Sequence, residues 1–496
     1  MMNSISRRTL LLGGGAVIGG WATRHFTPAK PILDGTRSLE PTGAATTMND
    51  ASGLSETPIF RHAILNQDPG DALVAAIRAE LSDARANGLP FNVGAARHSM
   101  GGQAIPRQGY AVTYDNGWIE PDTANGTFRV HAGARWSQVL AALDPLGFGP
   151  KVMQSNNDFG VAATFCVNAH GWPVRLGPMG ATVRSFEMVL PSGDLVTCSR
   201  TENTELFGMT MGGYGLTGAI TSMVVEMAPN TRLKPDFEEM PAAEFGTRFM
   251  DTLADGSVTM AYGRLNVDRA NFFKHALMIT YRATEDQDDL PAASGSGFAS
   301  KMARYVYRAQ LGNERIKRLR WWTETDVGPR LAGGAATRNS LINEPVITLD
   351  DRDPQRTDIL HEYFVAADRF ADFIDVCQRV IPASYQEFLN VTLRFIAADP
   401  DSWLAYASVP RIAAVMSFSQ EMTVRAEVDM ARMTRELIDG ITDIGGTYYL
   451  PYRPHATTEQ LIRAYPRAPE FAAAKRALDP SLTFRNNLWD TYLGAI

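Results

Sequence analysis

Residues 92–103, read Asn-Val-Gly-Ala-Ala-Arg-His-Ser-Met-Gly-Gly-Gln, constrain the fold of this chain more than any other stretch. The apolar run at 89–93 predicts a strand, and the chain must leave that strand through Gly94, Ala95 and Ala96 in succession. Small side chains allow the backbone to approach a ligand closely, and successive N–H groups at a bend form a nest for an anion. Arg97 adds positive charge, and His98 brings a nucleophilic ring to the same place. Ser99 follows, and Gly101-Gly102 before Gln103 frees the chain to turn again. A strand, a small-residue bend and a histidine together describe a loop built to hold a phosphorylated cofactor.

The surroundings predict a mixed α/β unit. Leu73, Ile77, Leu81 and Ala84 recur at helical spacing from Asp71, with Gly88 as a stop and Pro90 beyond it. Residues 111–114 and 128–131 read as strands, and residues 136–143 as a short helix. Residues 154–171 interleave small and polar side chains with Val161, Phe165 and Val167. Such a segment can pass beneath a flat ring system and hydrogen-bond its edge. Residues 188–196 read as a hairpin turning at Pro191-Ser-Gly193. Gly213, Gly215 and Gly218 spell the dinucleotide pattern Gly-x-Gly-x-x-Gly. The β-branched run from Ile220 nevertheless predicts a strand where that pattern requires a helix.

The pattern Arg-His-Ser-x-x-Gly-Gln at 97–103 resembles the flavin loop of the vanillyl-alcohol oxidase superfamily. It is similar to the Gly-His-Ser-x-x-Gly-Gln of cytokinin dehydrogenases and to the Arg-His-Ser of alditol oxidases. The resemblance implies FAD, its pyrophosphate cradled by Gly94 to Arg97, and His98 matches the histidine often bonded covalently to the flavin 8α carbon. By the same likeness Ser155, Gly160, Asn168, His170 and Gly171 lie near FAD, although Ala162-Ala163 stand where relatives carry Gly-Gly. No cysteine stands at the bicovalent position, which implies one covalent link at most. Gly215, Gly218 and Ile220 match the turn that runs into a strand beside the cofactor. The C-terminal Lys475-x-x-x-Asp479-Pro-x-x-x-Phe484-x-Asn486-Asn487 resembles the segment that folds back on the FAD domain, which brings Asn486 or Asn487 to the flavin.

The expected fold class is α+β. A two-part FAD-binding domain, residues 58–232 and 441–496, flanks a substrate domain, residues 233–440, whose antiparallel sheet is covered by helices. Two domains suit a chain of 496 residues. In the second domain, residues 272–281, 386–395 and 413–418 read as strands, as do residues 449–452. Residues 367–381 and 424–441 read as helices, a further helix is expected around 459–478, and 283–345 reads as an inserted segment. Asn390, Thr392 and Arg394 alternate toward one face of an apolar strand, so Asn390 and Arg394, with His455, are the catalytic candidates. Glu362 and Arg453 fit a structural salt bridge equally well.

Ser6-Arg7-Arg8-Thr9-Leu10-Leu11 ahead of a glycine-rich apolar run predicts a twin-arginine export signal over residues 1–30 and a periplasmic or extracytoplasmic destination. Residues 31–57 read as a linker. The apolar run is too short and glycine-rich for a spanning helix, so no stable membrane span is expected in the mature chain. A net charge of −7 without a basic tract argues against nucleic acid. Three cysteines without Cys-x-x-Cys suggest no metal site, and they read as small buried hydrophobes. The expected activity is hydride transfer from a CH–OH carbon of a sugar, polyol or aldonolactone to FAD, which oxygen or another acceptor reoxidises. The alternatives are a flavoenzyme that oxidises amines, as cytokinin dehydrogenases do, and a non-catalytic flavin-binding protein.

Overall fold

The computed structural model describes residues 46–293, 305–331, 336–344 and 353–496. The export motif at 6–11 lies outside them. Arg61–Leu65, Tyr110–Tyr114 and Phe91–Gly94 form a small parallel sheet in that spatial order. The helix Asp71–Ala86 buries Leu73, Val74, Ile77, Leu81 and Ala84, the face expected from their spacing. Asn87 caps it, and Gly88 takes φ +62°, a left-handed turn that glycine adopts without strain. A second, antiparallel sheet is centred on Ala219–Pro229, flanked by Val183–Val189 and Thr127–His131. The glycines at 213–218 therefore open a strand, and no dinucleotide-type helix follows them.

The third sheet has eight strands. Its order is Ala336–Thr337, Arg232–Pro241, His275–Ala283, Val258–Leu265, Glu387–Ile396, Arg411–Glu421, Arg356–Val365 and Thr447–Tyr448. Every pairing in it is antiparallel. Helices Phe245–Ala254, Phe370–Val380 and Val424–Asp443 contribute to the core on one side of it. Phe245, Phe249, Phe370 and Phe373 are fully buried there, and such burial is worth roughly 1.5–3 kcal/mol for each side chain. Met260, Leu277, Ile279 and Tyr281 join instead the core of the first two sheets. The large sheet is thus packed on both faces, and the cleft forms where its second face meets the loops of the smaller sheets.

The C-terminal segment is sewn back onto the cofactor loop. Lys475 and Asp479, both fully buried, pair at 2.5 Å, and Asp479 also accepts from the backbone of Thr483 and Phe484. That turn lays Phe484 beside Phe91, whose N–H donates to Thr483 O at 2.6 Å. The Lys-x-x-x-Asp spacing therefore has a structural reason.

Three expectations are corrected. The helix expected around 459–478 is two, Thr458–Ala464 and Ala468–Leu478, because Pro466 pushes Tyr465 out of helical dihedrals. Among residues 449–452 no strand forms; pairing ends at Thr447–Tyr448. Residues 154–171 contain a short helix, Val161–Cys166, admitted by the small residues Ala162 and Ala163.

Candidate active site

A cleft of about 1450 Å³, open mouth included, runs from the loop after Phe91–Gly94 to the face of the large sheet. Its first part is lined by Gly94, Ala95, Ala96, Arg97, His98, Ser99 and Gln103, and by Gly160, Gly215, Gly218 and Ile220. Ser155, His170 and Arg394 line the remainder. Fourteen of the residues singled out from sequence therefore share one cavity, although they come from separate parts of the chain.

The small residues are required by close approach. A Cβ on Gly160 would lie 2.5 Å from the Ala95 Cβ, and one on Gly218 would lie 2.7 Å from Val189 O. Gly215 takes φ +70°. Gln103 accepts from Gly101 N–H and donates to Leu450 O at 2.7 Å and Tyr452 O at 2.9 Å, so it fixes the loop to the C-terminal segment. His98 packs against Phe159 with ring centroids 4.3 Å apart. Burial pulls its pKa down; the Asp158 carboxylate opposes this and Arg135 adds to it. Its imidazole is therefore held neutral, with a lone pair available at one ring nitrogen.

At the other end the cleft meets a charged cluster. Glu362 lies on Arg356–Val365 with Leu360 toward the cleft, while His361 and Tyr363 alternate into the helix-side core. Glu362 Oε1 hydrogen-bonds His170 Nε2, and Tyr452 OH donates to Glu362 Oε2 at 3.2 Å. Across the sheet, Glu362 stands opposite Val415, and Val415 opposite Thr392. Arg394, two residues along from Thr392, donates to Ser155 Oγ at 3.1 Å and to His170 O at 3.3 Å. Desolvation lowers the Arg394 pKa and nearby Glu362 raises it. His170 Nδ1 and Arg394 Nε are buried without a hydrogen-bond partner among the described residues. Leaving buried donors and acceptors unpartnered is costly, and both residues line the cleft.

Six sequence candidates stand elsewhere. Asn168 donates to Asp399 and Ser402 and accepts from Gly180 N–H, so its side chain is consumed in folding. Gly171 is a packing glycine, since a Cβ there would meet Met153 O at 2.0 Å. Asn486 caps a helix and donates to Tyr214 O, while Asn487 donates to Thr57 Oγ1. Asn390 accepts from Arg264 and Arg320 on the sheet beyond the cleft. His455 is buried against Glu427 and Thr434. Arg453 pairs with the same Glu427, as the salt-bridge reading allowed. Glu362, which fits a structural salt bridge equally well from sequence, and Tyr449 and Tyr452, which the sequence does not single out as site residues, also line the cleft. The two tyrosines lie in the C-terminal stretch just beyond the strand Thr447–Tyr448.

The cleft suits FAD on its own terms. Glycines and alanines form the cradle, and the polar side chains of Arg97 and Tyr114 line it with them. Among the described residues no His/Cys/Asp/Glu group suited to a metal ion is found, and no helix is long and apolar enough to cross a membrane.

Comparison with known proteins agrees. Residues 73–199 match the family model described as FAD binding domain. The chain is 27% identical over 216 residues to cytokinin dehydrogenase 5 of Oryza sativa subsp. japonica, covering 38% of this chain and 40% of that protein. The match thus spans less than half the length of that relative. With alditol oxidase of a Streptomyces species it is 24% identical over 412 residues, covering 79% of this chain and 88% of that protein. The solved structure of 6-hydroxy-D-nicotine oxidase from Arthrobacter nicotinovorans superposes with a TM-score of 0.59 at 14% identity. That match covers 92% of this chain and 98% of the other, and so shows a shared fold.

Proposed function

Because the chain carries an FAD binding domain on the fold of 6-hydroxy-D-nicotine oxidase, we propose that it is an oxidoreductase that removes a hydride from a CH–OH carbon of a polyol, sugar or aldonolactone. Bound FAD would supply the hydride acceptor at N5. The observation that carries the reading is the Glu362–His170–Tyr452 cluster beside Arg394, at the sheet end of the cleft. Glu362 accepts the hydroxyl proton, and His170 and Tyr452 hold its carboxylate in place. The Arg394 guanidinium, whose residue lines the cleft, binds the substrate oxygen or a neighbouring hydroxyl. Its place among the residues that line the sheet end of the cleft supports a position on the substrate side.

The same cation separates alcohols from amines. A neutral hydroxyl can donate to Glu362 and accept from Arg394 together, whereas an ammonium would have to desolvate beside a buried guanidinium. The amine reading draws on the aromatic wall of Tyr449 and Tyr452, which would suit a cation if Arg394 turned away. His98, neutral in its loop, is the proposed attachment point to the flavin 8α carbon. The Arg7-Arg8 motif supports export by the twin-arginine route, with oxygen or another acceptor reoxidising the flavin. Turnover assays with alditols, aldonolactones, hexoses and primary and secondary amines, using oxygen or a dye acceptor, test the reading. Polyol-type substrates are expected to turn over. Activity confined to amines would replace it, and no turnover with any compound would favour the non-catalytic alternative.

A further inference from the structure

We propose that a hollow at the far end of the large sheet is a second ligand site, one that takes a neutral sugar ring away from the flavin. It measures about 510 Å³, open mouth included, and Glu239 of the strand Arg232–Pro241 lines it. A single row of the sheet runs from Glu362 through Val415, Thr392, Arg264 and Leu277 to Glu239. Five strand spacings put the two carboxylates roughly 24 Å apart, so the hollow is separate from the cleft. Its other walls are the loop that holds Asn266 and Asn271, the helix Glu314–Trp322 and the π-helical turn Thr323–Val327. These walls are fixed to one another and to the sheet. Arg269 N–H donates to Glu314 Oε2 at 2.7 Å, and the buried Lys317 ties the helix to Glu387 at 3.6 Å. A π-helical turn inside a helix is frequent at functional sites. Here Trp321 and Trp322 stand just before it and Thr325 and Asp326 within it, and all four line the hollow.

The carboxylates of the hollow are engaged within the protein. Glu239 Oε1 accepts from Trp321 Nε1–H at 3.2 Å, and Asp326 accepts from the Thr325 hydroxyl at 3.0 Å. Asp268 is fully buried and accepts from the backbone of Ala270 and Asn271 and from the Asn271 amide. Arg318, 3.9 Å from Asp268, offsets part of the charge. Asn266 differs from these. It is only 4% exposed, and its Oδ1 accepts from Asp268 N–H at 3.1 Å, which fixes the orientation of the amide. The NH2 end, without a partner among the described residues, is left to the hollow. Leaving a donor this deep unpaired is costly, and the hollow is where an acceptor would reach it. Beside it the Asn271 carbonyl oxygen and the Arg318 guanidinium add an acceptor and a further donor. Trp322 is 50% exposed and offers a flat apolar platform. Hydroxyl groups both donate and accept. An apolar platform beside mixed donors and acceptors therefore fits a pyranose, whose C–H face is apolar and whose hydroxyls point outward. An anion would meet Glu239 and Asp326, which makes the ligand neutral.

The test is saturation-transfer NMR on the flavin-loaded protein with the methyl glycosides of glucose, galactose, mannose and xylose, and with choline as a cationic probe. At least one glycoside should receive saturation, strongest at the ring C–H protons of one face. Trp322→Ala should weaken its binding at least tenfold, and Trp322→Tyr, which keeps a ring, less than threefold. Asn266→Asp keeps the acceptor for Asp268 N–H and removes the donor, so it should weaken binding at least fivefold. The Trp322 pair decides the matter if Asn266→Asp lowers the thermal midpoint. The flavin absorbance should stay unshifted as the glycoside binds, and Trp322→Ala should leave FAD content unchanged. Saturation of none of the glycosides would overturn the site. Glycoside binding that shifts the flavin spectrum and survives Trp322→Ala would overturn it as well, by placing the sugar in the cleft. Binding of choline alone, lost in Trp322→Ala, would replace the sugar site with one for an organic cation.

Discussion

Replacing Glu362 with glutamine tests the proposed chemistry at its most informative atom. The carboxylate is 3% exposed and is bonded by His170 Nε2 and Tyr452 OH. Glutamine keeps the volume and one acceptor oxygen but cannot take a proton from a hydroxyl. Loss of a positioned base costs typically 10²–10⁴-fold, which is about 3–5 kcal/mol of barrier. Substrate binding should weaken far less, by about 1 kcal/mol or roughly fivefold, because a neutral hydrogen bond replaces a charged one. Arg394 loses its nearby counter-charge. Removing one partner of a buried pair costs about 3–5 kcal/mol of stability at most, and the retained acceptor should keep the loss at the low end. The assay is anaerobic stopped-flow at the flavin band across a substrate series, giving the reduction rate and the dissociation constant separately. FAD content should match wild type and the reduction rate should fall at least a hundredfold. Glu362→Ala, with a hole where the carboxylate stood, should be partly rescued by added formate. A Glu362→Gln reduction rate within fivefold of wild type would refute the assignment.

Three further outcomes are expected. Acid precipitation should leave yellow colour in the pellet and yield a flavin-bearing peptide containing His98, whereas His98→Ala should release all its FAD to the supernatant. Stability should fall as the medium is acidified from pH 7 to 5.5. His131 and His361 are buried, with pKa values drawn down by desolvation to about 4 and about 3. The unfolded chain therefore binds protons first, near pH 6.5, and the two groups together cost about 2–3 kcal/mol over that interval. A urea midpoint that stays flat between those pH values would contradict this. Changing Arg7 and Arg8 to Lys should strand folded, flavin-loaded protein in the cytoplasm, as fractionation and flavin fluorescence would report.

What could be read from the sequence was local. The Leu73, Ile77, Leu81 and Ala84 spacing described a helix whose buried face is built from those side chains. The Gly94–Ala96 bend described a cradle because close approach depends on the size of the residues in it. The contact of Glu362 with His170 was not legible, since the two lie 192 residues apart, and a strand carboxylate looks the same whether it faces solvent or a cleft. Asn168 looked like a ring-edge ligand, yet Asp399 and Ser402 claim its amide from 231 and 234 residues away. The edge-side strand Arg232–Pro241 escaped notice because Pro235, Asp236, Glu238 and Glu239 hide any alternation. Its pairing with His275–Ala283 alone reveals it.

The central claim is that the cleft holds FAD so that a CH–OH carbon can be oxidised beside Glu362. Its most direct measurement is anaerobic titration of the purified holoprotein with an alditol and with an amine of similar size, watching the flavin absorbance near 450 nm. The account predicts that the alditol bleaches the flavin within seconds, that air or an added acceptor restores the colour, and that the amine leaves it unchanged. Bleaching by the amine alone, or by neither compound across a full polyol, sugar and lactone panel, would contradict it.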